Sequence, residues 1–159
     1  MKTEDGIGDL VRSRGLGDVY KSQADGLRAL RDAGFAICVA TNQPAPAKGQ
    51  FSREAVERTN RALVDLLARE GIAIAAFEVC MHHPEGGPGG DPALVVRCDC
   101  RKPQAGLLVR AMEHASLDPT RTWMVGESPG AGGAARGGGG RGRCIINNRG
   151  RRPAERGSV

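Results

Sequence analysis

Residues 35–43 read Phe-Ala-Ile-Cys-Val-Ala-Thr-Asn-Gln, and their order decides the fold class. The continuous apolar run Phe35–Ala40 predicts a short strand buried on both faces, the pattern of a parallel sheet covered by helices. Around it the chain alternates between helical and strand character. Ser22–Ala33 carries Leu27 and Leu30 on one stripe and stops at Gly34, a helix with a glycine C-terminal signal. Ser52 is a candidate N-cap for a long helix to about Glu70, with Val56, Leu63, Leu66 and Leu67 at helical spacing. Ile72–Val79 predicts the next strand, Gln104–Ser116 a helix with Leu107, Leu108, Ala111 and Met112 inward, and Thr122–Val125 a further strand. Strand and helix in alternation imply an α/β domain with a mostly parallel sheet.

Two segments resist that pattern. Gly126–Arg143 is dominated by glycine and includes the run Gly137–Gly140. At about 1 kcal/mol per Gly relative to Ala, a stable helix is not expected there. Cys144–Asn147 reads as a last edge strand. The second segment runs from Cys80 to Cys100 and holds Pro84, Gly86, Gly87, Pro88, Gly89, Gly90 and Pro92. So long a stretch without regular structure needs a physical reason inside a compact domain.

The reason is written at its two ends. Cys80-Met81-His82 opens the stretch and Cys98-Asp99-Cys100 closes it, so the pattern is C-x-H followed by C-x-C. Three thiols and one imidazole make a closed tetrahedral zinc set with no position left for water. Cys80, His82, Cys98 and Cys100 are the expected zinc ligands, and the glycine loop between them becomes a metal-clamped excursion. His83 is the alternative imidazole. His114 lies on a predicted helix and Cys38 in an apolar strand, where a cysteine packs as a small hydrophobe.

Composition sets the remaining bounds. The 159 residues suit one domain, and the scarcity of aromatics leaves Ala, Val, Leu and Ile to fill the core. The formal charge of +5 is unevenly placed, because the stretch from Arg136 onward has seven Arg and one Glu. Residues 1–148 are read as one domain with the zinc loop at 80–100, and residues 149–159 as a basic disordered tail. An Arg/Gly tail can meet nucleic acid through phosphates, but a solvated end is the reading adopted, and nucleic acid is not the expected partner. The odd count of five cysteines argues against a disulfide framework. No long apolar run marks a membrane span and the start is polar, so a cytoplasmic, monomeric protein is expected.

These residues carry a resemblance. Thr41-Asn42-Gln43 with Lys48-Gly49-x-Phe51, the pair Cys80-x-His82-His83-Pro84 and Cys98-Asp99-Cys100-Arg101-Lys102-Pro103, and the strand end Met124-Val125-Gly126 resemble the D,D-heptose 1,7-bisphosphate phosphatases of the haloacid dehalogenase superfamily. Histidinol-phosphate phosphatases share these features. The resemblance implies a three-layer, Rossmann-like (HAD-like) fold and hydrolysis of a phosphate monoester on a phosphorylated sugar. It implies that Thr41 and Lys102 cradle the phosphoryl group, that Asn42 and Gln43 orient substrate, and that Arg101 contacts it. It implies Mg²⁺ beside the structural zinc.

The chain also departs from that pattern. The family opens with an apolar strand and D-x-D-G, whereas here Thr3 stands in the nucleophile position and Asp5 in the general acid/base position. The first strand, the middle of the family's sheet, is expected to be missing, exposing the strands beside it. The family's closing G-D-x-x-x-D is matched by Gly126-Glu127-Ser128-Pro129-Gly130-Ala131. Asp5 and Glu127 are then the remaining, weakened Mg²⁺ ligands, because Mg²⁺ requires near-octahedral oxygen coordination. A Thr hydroxyl is a poor nucleophile without an activating base, so little or no turnover is expected.

Overall fold

The structure is a computed structural model that describes residues 16–126 and 129–144. Its elements run α1 (Leu16–Asp32), β1 (Ile37–Asn42), α2 (Arg53–Arg69), β2 (Ile74–Cys80), α3 (Gly106–His114), β3 (Trp123–Gly126), α4 (Pro129–Gly137) and β4 (Arg141–Cys144). Short 3₁₀ turns at Pro92–Leu94 and Pro119–Arg121 complete it. Helix and strand alternate as the sequence predicts, and every strand pair is parallel: β1 with β2, and β3 with β4.

Local chemistry accounts for the boundaries. The Ser52 hydroxyl accepts the Ala55 N–H at 3.2 Å, which caps α2. Gly34 and Gly71, after α1 and α2, take the left-handed conformation at φ 83° and 73°. Asp91 and Asp118 cap the 3₁₀ turns by accepting from Ala93 and Thr120 N–H.

Three expectations are corrected. Among the described residues the sheet is two separate two-stranded pairs, not one continuous layer. Accordingly β1 is half-buried along its whole length rather than covered on both faces. Trp123 and Val125 of β3 are 51% and 58% exposed. The third correction is α4, a helix inside the glycine-rich segment. Its Ala131, Ala134 and Ala135 are almost fully buried. A Cβ added to Gly133 or Gly137 would sit 3.2 Å from the Pro103 or Ala105 Cβ. Small residues let α4 approach its neighbours closely, and tertiary packing overrides intrinsic propensity. The final strand also begins earlier than expected, at Arg141; the Arg141 guanidinium lies over the Trp123 ring, 5.5 Å from its centre.

Two apolar clusters hold the fold. Ala24, Leu67 and Ile72 bind α1 and α2 beneath the start of β1 and β2, with Leu27, Ile37 and Ile74 packed on them. The larger cluster joins Leu107, Leu108 and Met112 of α3 to Ala134 and Ala135 of α4, and includes Cys80 and Cys100. Leu107 is fully buried; truncating such a leucine to alanine costs about 2–5 kcal/mol. Helix α3 thus ties the two strand pairs together and carries the Cys100 region into the core. No helix of the described residues is long and apolar enough to cross a membrane.

Candidate functional site

Strand β2 ends at Cys80, and the chain turns immediately, which places Cys80 and His82 on one side of the turn. The segment Cys98–Cys100 returns beside them just before α3. The ligand atoms of Cys80, His82, Cys98 and Cys100 all lie within 4.8 Å of one another. Cys98 and Cys100 sulfurs are 3.3 Å apart and Cys80 and Cys98 sulfurs 3.7 Å apart. His82 Nδ1 is 3.3 Å from the Cys100 sulfur and 3.7 Å from that of Cys80. With Zn–S bonds of ~2.3 Å, a tetrahedron has S···S edges of ~3.8 Å. The donor set therefore fits a zinc ion in both chemistry and spacing.

Burial, then the neighbouring Cys100 thiol, pushes the Cys80 thiol up to about 12. Burial also works against ionisation of Cys98, but the Cys100 thiol and the Arg101 backbone N–H outweigh it and hold Cys98 below the ordinary thiol value. Three thiols this close ionise together only where a cation offsets their charge. His83 stands outside the set: its Nδ1 accepts the Glu85 and Gly86 N–H groups, each at 3.2 Å. His114 also stands apart, 2.6 Å from the Glu78 carboxylate, which Arg110 approaches at 3.3 Å. Cys38 is half-buried in β1, and burial raises its thiol.

The clipped loop is interlocked with the loop after β1. A Cβ on Gly49 would lie 2.2 Å from Pro88 O, one on Gly87 2.8 Å from Lys48 O, and one on Gly90 2.0 Å from Ala47 O. Only glycine allows this backbone-on-backbone contact. Asp91 N–H donates to Pro46 O at 3.0 Å, and Arg53 pairs with Asp91 at 2.8 Å. The Cys80–Cys100 loop and the Thr41–Phe51 loop thereby constrain each other's shape.

The residues predicted to meet a phosphoryl group come together at the carboxyl end of β1, the end at which open α/β sheets bind ligands. Thr41 is the penultimate residue of the strand. Lys102 Nζ donates to Ala40 O at 2.6 Å, and burial holds its ammonium below the ordinary lysine value. Arg101 Nη1 donates to His82 O at 3.1 Å, which anchors it to the segment just after β2. Neither Arg101, Lys102 nor Lys48 has a carboxylate partner among the described residues. His83 is held below its ordinary value by burial, then by the positive charges of Lys48 and Arg101.

The two amides after Thr41 have protein partners. Asn42 bonds the backbone of Lys102 on both sides, at 3.0 and 3.1 Å. Gln43 and Asn60 exchange side-chain amide bonds at 3.0 and 2.8 Å. Asn60 was not evident from sequence: it sits mid-helix in α2, and no local spacing links it to Gln43. Phe51 is 67% exposed. Thr3, Asp5 and Glu127 lie outside the described residues. Ala131, in the last position of the closing pattern, is buried and offers only a methyl group.

No family model matches the chain. It is 34% identical over 109 residues to the D-glycero-β-D-manno-heptose-1,7-bisphosphate 7-phosphatase of Pseudomonas aeruginosa, covering 69% of this chain and 56% of that protein. The proteins of the same name from Haemophilus influenzae and Escherichia coli K12 are each 33% identical over 103 residues, 65% of this chain and 54% and 52% of theirs. The chain spans about half the length of the curated relatives it matches. Among solved structures, one from Mesorhizobium loti assigned as a HAD-like phosphatase superposes with a TM-score of 0.64 at 28% identity, over 73% of this chain and 54% of that one. The D,D-heptose 1,7-bisphosphate phosphatase of B. bronchiseptica, complexed with magnesium and phosphate, superposes at 0.59 with 24% identity, over 74% and 60%, a likeness of fold.

Proposed function

We propose that this chain, a member of the HAD-like phosphatases related to the heptose-bisphosphate 7-phosphatases, binds the phosphoryl group of a phosphorylated sugar at the carboxyl end of β1. The observation that carries the proposal is Lys102: a half-buried ammonium beside Thr41, bonded to a strand carbonyl and without a carboxylate partner among the described residues. A cation kept from water without a counter-ion suits a ligand that brings negative charge. Thr41 supplies a hydroxyl, Lys102 an ammonium, and Arg101 a guanidinium able to bind phosphate bidentately.

Cys80, His82, Cys98 and Cys100 would hold zinc. Its contribution when bound is structural, neutralising thiolate charge and closing the loop. The protein's own bonds do the rest: Arg101 is tied to the turn at His82 and Lys102 to β1. Magnesium fits this chain less well. The B. bronchiseptica protein is complexed with it, but Ala131 gives no oxygen ligand and Thr3 no carboxylate. Asp5 and Glu127 are the remaining candidates.

In this reading the reaction class is hydrolysis of a sugar phosphate monoester, with recognition retained and chemistry weakened. Thr3 in the nucleophile position offers a hydroxyl in place of a carboxylate, a weaker nucleophile, and residues of a catalytic set act as a unit. The test compares inorganic phosphate binding and phosphate release from a heptose bisphosphate in the unaltered chain and in Lys102→Ala. Binding is expected to weaken about tenfold or more in the variant, the scale of a lost charge-assisted bond. Release is expected to be indistinguishable between the two. Metal-dependent release well above the Lys102→Ala level would overturn the claim of weakened chemistry. Equal phosphate binding would overturn the site itself.

A further inference from the structure

We infer that Asn42 is a positioning residue for Lys102, holding that lysine's backbone rather than contacting the ligand. Asn42 Nδ2 donates to Lys102 O at 3.0 Å, and Lys102 N–H donates to Asn42 Oδ1 at 3.1 Å. One planar amide thus satisfies both main-chain groups of a residue 60 positions away. Two bonds from one rigid group fix orientation as well as distance. The third contact comes from the side chain itself, since Lys102 Nζ reaches back to Ala40 O at 2.6 Å. Lys102 is therefore pinned at its backbone and at its tip to the same strand, β1.

Elementary chemistry makes asparagine the residue for this task. A lysine carries a flexible four-carbon stem whose ordering opposes binding. Fixing the backbone and one ammonium proton in advance removes much of that loss and leaves two protons for a phosphoryl oxygen. Aspartate would offer two acceptors and leave Lys102 C=O without its donor. Leucine has nearly the same shape as asparagine but makes neither bond. Gln43 shows that the neighbouring amide is likewise engaged by protein, through Asn60. The amide pair after Thr41 therefore faces inward to the scaffold.

This inference rests on the phosphoryl site proposed above, and its test separates the two. The zinc-loaded full chain, Asn42→Leu, Lys102→Ala and the double variant are titrated with inorganic phosphate. Lys102→Ala and Asn42→Leu are each expected to weaken binding by about tenfold. Asn42→Leu is expected to add nothing once Lys102 is already alanine. Further weakening in the double variant would show that Asn42 touches phosphate itself and overturn the inference. So would weakening by Lys102→Ala alone. If Lys102→Ala has no effect, both the site and the inference fail. A measurement on the unaltered chain guards against a variant that does not fold: the Lys102 amide proton should exchange slowly, and rapid exchange would overturn the proposed grip. Asn42→Ser, too short to span both bonds, serves as the second variant and is expected to match Asn42→Leu in zinc content, amide exchange and phosphate affinity.

Discussion

The loop from His82 to Arg97 and helix α4 from Pro129 to Gly137 are both rich in glycine, and they are ordered by opposite means. The loop has little regular structure, and its ends meet at a clip of four side chains that could hold a metal ion. Its glycines let backbone press directly on backbone. Helix α4 has no such clip. Its order comes from buried alanines and from neighbours that approach where side chains are missing. A glycine in the loop is required by contact. A glycine in the helix weakens local propensity, and packing offsets that weakness.

Removing the metal should have the largest effect on this comparison. Cys100→Ser is expected to reduce bound zinc from one per chain towards none. It should also lower the melting temperature by about 10 °C or more, since a structural ion contributes several kcal/mol to folding. Metal analysis and calorimetry on untagged protein check both; full zinc content in the variant would break the ligand assignment. Under the proposed function, in which the clip aims Arg101 and Lys102, phosphate affinity should fall with the metal.

Single-methyl additions sharpen the contrast at a smaller scale. Gly90→Ala would place a Cβ 2.0 Å from Ala47 O and is expected to destabilise by about 1–3 kcal/mol through overpacking. Gly132→Ala in α4 would meet only the Arg136 guanidinium, at 3.6 Å. It is expected to stabilise by about 0.5–1 kcal/mol. Denaturant unfolding of the two variants should move in opposite directions. The same sign for both would mean that loop and helix glycines are not distinguished as argued.

Acid titration has the smallest expected effect. The Arg53 guanidinium, then the Ala93 N–H, hold the Asp91 carboxyl below the usual carboxylate range. A lowered folded value gives stability that is fully present above the unfolded value of about 3.9 and is lost as pH falls through the folded one. Asp91→Asn should flatten that part of the stability profile below about pH 4 without changing stability's slope near neutrality. An unchanged acid limb would remove the Arg53–Asp91 pair from the account of how the two loops are joined.

Much of the site was legible because its signals are local. Cys80, His82, Cys98 and Cys100 stand in two short pairs, and such spacing carries its own geometry. Thr41 followed a strand-like run, and Arg101 and Lys102 followed the second pair. The long-range contacts left no comparable signal. Neither the Asn42–Lys102 amide bonds nor the Gln43–Asn60 pair follows any local period. The interlock of Gly49, Gly87 and Gly90 left no sign in a sequence that showed only two glycine-bearing loops.

What the amino-acid order determined by itself was the parallel α/β plan, the gathering of Cys80, His82, Cys98 and Cys100 and the cations near them, because periodicity and close residue spacing are encoded within a few residues. Tertiary structure alone decided that α4 is a helix and that Asn42 grips Lys102. Each of those outcomes depends on atoms contributed by distant segments. Whether a glycine-rich stretch becomes a loop or a helix is settled by what packs against it, and propensity alone cannot supply that partner.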